Sequence, residues 1–113
     1  MLNTQQINKK ELKILYSYVI MFIFCLEIHL SLPSLSLKEK RGIVKSILGR
    51  ARNRFNVACA EVDRQDNAAV GVLAFVTVSS DKNIPRQVLE RVEDWIYEGW
   101  PDVEISGSDI SEI

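Results

Sequence analysis

Seven basic side chains crowd into the stretch from Leu37 to Arg54: Lys38, Lys40, Arg41, Lys45, Arg50, Arg52 and Arg54, against one acid, Glu39. Cations at that density with few carboxylates among them suit phosphate contacts, and RNA is the natural ligand. The competing explanation is a solvated face whose charges pair with acids downstream, Glu90, Glu93, Asp94 and Glu98. A second constellation is Glu61, Asp63 and Asp66, carboxylates that could hold Mg²⁺ or supply a general base. No nucleophile, histidine or glycine-rich loop accompanies them, so turn capping and solubility explain them better. His29 is the only histidine and sits beside Glu27 with no triad partner, so a structural or surface role is expected. Cys25 and Cys59 lack a companion His or Cys at ligand spacing, which excludes a zinc site and a CxxC redox motif. Both lie in apolar runs and read as buried, reduced thiols. The expectation is a protein with no catalytic residues, no metal and no cofactor.

At 113 residues there is room for one core. The net charge of −1 hides a segregation: the basic stretch is followed, from Asp63 onward, by eleven acids and only four bases. Such asymmetry bears on partners and not on fold. Near the N-terminus Lys9, Lys10 and Lys13 precede an apolar run from Ile14 to Leu26. That run is shorter than the roughly 18–20 residues of a spanning helix, and no small-residue cleavage site follows it. No membrane segment is expected, and the location implied is cytoplasmic. Residues 1–20 read as an N-terminal extension, with Met21 an alternative start. A helix over 8–18 packed on the domain is the other possibility. Residues 21–113 form the single domain.

The elements that must position these groups follow from periodicity. Over 22–32, Phe22, Phe24, Leu26, Ile28 and Leu30 alternate with Ile23, Cys25, Glu27 and His29, a strand with one wholly apolar face that ends at Pro33. Ser36-Leu37-Lys38-Glu39 is a capping box, with the Glu39 carboxylate expected to reach back to the Ser36 N–H. On the helix that follows, Leu37, Val44, Leu48, Ala51 and Phe55 share one stripe. Lys38, Arg41, Lys45 and Arg52 form a ridge beside it, about 21 Å long at 1.5 Å per residue. Lys40, Arg50 and Arg54 fall on the opposite flank. Further strands are predicted over 57–62, 68–79 and 103–110, the second apolar on both faces and therefore central. A second helix begins near Pro85 and is stopped by Gly99 and Pro101. The order βαββαβ predicts an α+β, ferredoxin-like fold: a four-stranded antiparallel sheet with two helices on one face.

Ser34 to Arg41 (S-L-S-L-K-E-K-R), then Phe55-Asn56-Val57 and the segment Ala60-Glu61-Val62-Asp63-Arg64-Gln65-Asp66, resemble the YlxP-like family of small bacterial proteins. The resemblance covers residues 21–113. It implies a ferredoxin-like fold and no established activity. Genes of relatives tend to lie beside translation and ribosome-maturation factors, which associates the family with the ribosome. Relatives often carry a Trp and a basic residue soon after the second motif, where this chain has Asn67-Ala68-Ala69-Val70.

In the central strand Leu73 and Phe75 alternate with Val72, Ala74, Val76 and Val78, so one set must face away from the helices. Taken with Ile23 and Cys25, Leu73 and Phe75 are the interface candidates on an apolar open sheet face. Two functions compete. The first is a non-catalytic binding module meeting ribosomal RNA or ribosomal particles through Lys38, Arg41, Lys45 and Arg52. The second is a sheet-mediated homodimer or protein adaptor that binds no nucleic acid.

Overall fold

The structure is a computed structural model and describes residues 8–11 and 20–113. Strand β1 (Phe22–Ser31) leads into helix α1 (Leu37–Arg54), then β2 (Ala58–Asp63), β3 (Val70–Ser79), helix α2 (Asn83–Gly99) and β4 (Glu104–Glu112). The strands pair antiparallel in the order β2-β3-β1-β4. This is the α+β, ferredoxin-like arrangement expected from the element order. The two most apolar strands, β1 and β3, take the centre, where their inward residues form the middle of the core beneath the helices.

Helix α1 begins where the capping box places it. Ser36 is extended, and its Oγ accepts from the Glu39 N–H at 3.1 Å. The reciprocal bond differs by one residue: Glu39 Oε2 accepts from Leu35 N at 2.9 Å, not from Ser36. A capping glutamate needs only a free N–H ahead of the first turn, and that of Leu35 serves. The helix ends as the Phe55 N–H donates to Ala51 O at 2.9 Å. Strand β4 runs two residues beyond the predicted end and is extended by a bond from Ile113 N to Ile23 O at 2.8 Å.

Phe24, Leu26, Ile28 and Leu30 of β1 are buried beneath the helices with Val44, Ile47, Ala51, Leu89, Val92 and Ile96. The register pairs Leu26 with Phe75 and Ile28 with Leu73. Residues directly opposite share a face, so Leu73 and Phe75 lie on the helix side, and both are fully buried. This corrects their placement as interface candidates. The open face of β3 carries Ala74, Val76 and Val78, beside Ile23 and Cys25 of β1 and Ala58 and Ala60 of β2. A strand apolar on both faces gives no internal sign of which set turns inward. Only the register with β1 decides it.

Of the N-terminal extension, residues 9–11 are helical, and Asn8 Oδ1 accepts from Glu11 N at 2.9 Å. The rest of a helix over 8–18 lies outside the described residues. No helix among the described residues is long and apolar enough to cross a membrane.

Candidate nucleic-acid interface

Helix α1 presents its charges in three directions. Lys38, Arg41 and Lys45 are exposed on one flank. Arg52 continues that flank and is anchored, its Nη2 donating to Cys59 O on β2 at 2.7 Å. Pairing with α2 does not occur among the described residues. The only ion pairs there are His29 with Glu27 and Lys40 with Glu61, so Glu90, Glu93, Asp94 and Glu98 hold no basic partner. The ridge keeps its positive charge.

Lys40 is the surprise. The sequence places it with Arg50 and Arg54 on the flank opposite the ridge; in the structure it is 1% exposed. It follows the helical spacing of Val44, Ile47 and Ala51, and the buried stripe is centred about 40° toward Lys40 from where Leu37 and Phe55 put it. A signal existed: Glu61 is in phase with Val57 and Cys59 on the inward face of β2, an acid awaiting a cation. Lys40 Nζ stands 2.8 Å from Glu61 Oε2 and donates to Arg64 O at 2.5 Å. The approach to Oε2 falls outside hydrogen-bond geometry, so that contact is an ion pair in which charge, not direction, supplies the attraction. Arg64 has φ 61, a left-handed conformation in a residue that is not glycine, and its carbonyl also accepts from Asn67 N at 3.1 Å. Gly71 packs beside this arrangement: a Cβ there would stand 3.6 Å from Glu61 Oε2, Leu32 Cδ1 and Lys40 Cε, an ordinary contact, so the pair does not depend on glycine at that position. Lys40 thus fastens the start of α1 to the β2–β3 turn.

The other sequence candidates separate. Glu61 turns inward, while Asp63 Oδ1 accepts from Arg64 N at 2.7 Å and Asp66 is exposed. Among the described residues no three His, Cys, Asp or Glu side chains gather as metal ligands. His29 is exposed on the open sheet face, with Nε2 at 3.0 Å from Glu27 Oε2. The stretch Asn67 to Val70 works structurally: Ala68 O accepts from Ser34 Oγ at 2.6 Å and Ala69 O from Leu32 N at 2.7 Å.

The cysteines are half-buried and not fully enclosed as expected. Cys25 lies on the open face and Cys59 beneath α1, where its Sγ donates to Leu48 O at 3.5 Å. Opposite faces of one sheet cannot share a disulfide. Burial raises both thiol pKa values; Glu27 and Asp109 add to the rise at Cys25, and Arg52 partly offsets it at Cys59.

A family model described as "Protein of unknown function (DUF503)" matches residues 23–110. The chain belongs to the DUF503 family. It is 38% identical over 69 residues to "Uncharacterized protein YlxP" of Bacillus subtilis (strain 168), across 61% of this chain and 74% of that one. Among solved structures it is similar to "De novo designed protein Foldit4", with a TM-score of 0.49 and 20% identity over 80% of this chain and 96% of that one. Within the DUF503 match lie the three stretches that carry the resemblance to YlxP, of which the first, Ser34 to Arg41, and the last, Ala60 to Asp66, are the pair that folding joins. These two meet in space at Lys40 and Glu61.

Proposed function

We propose that this DUF503 protein is a non-catalytic, cytoplasmic RNA-binding module that docks on RNA, including RNA displayed by ribosomal particles, through the flank of α1 bearing Lys38, Arg41, Lys45 and Arg52. The observation that carries this reading is charge left over. The ridge cations are exposed on one rigid helix, and the acids of α2 make no ion pair with them among the described residues. Phosphate oxygens spaced along a backbone are the complementary partner, and the expected affinity depends on shape and charge rather than base identity.

The test is RNA binding between 50 and 300 mM salt, about the range over which phosphate contacts weaken most visibly. Affinity should fall steeply with salt, and Lys38→Glu with Lys45→Glu should reduce the log–log slope by about 1.5. Absence of binding at the lowest salt, or a flat salt profile, ends the reading. Co-sedimentation of the protein with ribosomal particles that nuclease abolishes would extend it to the ribosome.

A second reading rests on the open sheet face. Val78 is 51% exposed there, in line with Val76, Ala74, Ile23 and Cys25. An apolar patch of this kind on an open sheet face fits a second copy of the chain. Val76→Glu should then halve the mass measured by light scattering. A monomeric mass for the unaltered protein excludes the dimer.

A further inference from the structure

The flank of α1 opposite the ridge carries Arg50 and Arg54; folding brings Arg50 over Trp100, a ring distant in sequence, while Arg54 lies over its chain neighbour Phe55, whose own ring meets Trp95. Trp95 of α2 packs edge-on against Phe55 at 5.4 Å and 73°, and against Trp100 at 4.9 Å and 80°. The Arg50 guanidinium lies over the Trp100 ring at 5.7 Å, and that of Arg54 over Phe55 at 5.8 Å. Arg50, Asn53, Arg54 and Trp95 line an open cleft of about 420 Å³, inside the range of roughly 300–1,000 Å³ that small ligands occupy. No carboxylate lines it among the described residues, and neither arginine is in an ion pair.

These parts match the needs of one nucleotide. Rings wedged edge-to-face hold each other in place, which makes a stacking platform that needs little ordering on binding. Guanidinium groups held over aromatic rings keep their N–H donors for a phosphate. The Asn53 amide both donates and accepts, as a base edge requires. We infer that this cleft seats one unstacked nucleotide of single-stranded RNA, the base against Trp95 and the phosphate on Arg50 and Arg54. The inference deepens the RNA-binding reading, and it depends on a different flank of α1 from the ridge.

Both tryptophans of the chain belong to this cluster, so intrinsic fluorescence reports the site directly. The probes are a single-stranded uridine 10-mer and an RNA duplex of equal length, titrated into the full chain. The 10-mer should quench the emission. Arg50→Gln with Arg54→Gln, both at exposed positions, should weaken the 10-mer about tenfold and the duplex less than threefold, because a duplex has no free base to stack. Lys38→Glu with Lys45→Glu should weaken both probes and leave the saturating quench in place. Unchanged emission at saturating 10-mer, or equal weakening of the two probes by the arginine pair, overturns the cleft even where the ridge variants still lose affinity. Loss confined to the arginine pair keeps the cleft and removes the ridge.

Discussion

Lys40 and its neighbours Lys38 and Arg41 sit within one helical turn, yet they meet opposite fates. Lys40 is enclosed and opposes Glu61, while Lys38 and Arg41 are exposed and pair with no acid among the described residues. The difference is rotation: a step of about 100° per residue carries a side chain from the core to the surface. One lysine is spent on architecture, and the others remain free for a ligand. Positive charge along a helix is therefore two populations, which composition cannot separate.

The sharpest way to break that distinction is Lys40→Ala. It leaves the buried Oε2 of Glu61 without its cation and should cost about 3 kcal/mol, the low end for a broken buried pair because the Glu61 side chain is 18% exposed, read by urea unfolding. Joint replacement, Lys40→Met with Glu61→Leu, should recover most of that loss, because matched apolar groups replace a buried pair well. A loss below about 1 kcal/mol for Lys40→Ala would put Lys40 with the free cations. Next in size is the cap. Ser36→Ala removes the acceptor for the Glu39 N–H and should lower stability by about 1 kcal/mol, loosening the turn that aims Lys38 and Lys40 in their separate directions.

Smaller again is the ridge itself. Lys38→Glu with Lys45→Glu should change unfolding free energy by less than about 0.5 kcal/mol, as exposed, unpaired charges do. The same variant is the one expected to lose RNA, so stability and binding part company at the ridge and not at Lys40.

The least effect concerns Cys59, on the face of β2 that meets α1. Raised thiol pKa values mean the fold favours the neutral thiols of Cys25 and Cys59. Their contribution to stability is complete below the ordinary thiol value of 9.0 and fades as pH rises past it. Alkylation at pH 8 should be slower than for a free cysteine and accelerate above pH 9. Reaction at pH 8 as fast as in urea would show that α1 does not shield Cys59.

Much of the fold was readable from local pattern. The alternation from Phe22 to Leu30, the Ser36–Glu39 cap and the Gly99–Pro101 stop all lie where the strand and helix boundaries fall. The ridge was readable too, since Lys38, Arg41, Lys45 and Arg52 need only a helix to align. Each of those features is set by neighbours a few residues apart, whose spacing and hydrogen bonds are written in the chain. Lys40 was misplaced because its partner is 21 residues away on another element. Leu73 and Phe75 were misplaced because a strand apolar on both faces does not declare its inner side.

What the amino-acid order determined by itself was the identity of each element, the face of β1 that is wholly apolar, and the crowding of positive charge on α1. What only tertiary structure decided was which side of β3 turns inward, which lysine loses its water, and the meeting of Arg50 and Arg54 with the aromatic cluster around Trp95. The reason is range. Local order depends on spacing along the chain, whereas burial and pairing depend on register and packing between elements that sequence keeps far apart.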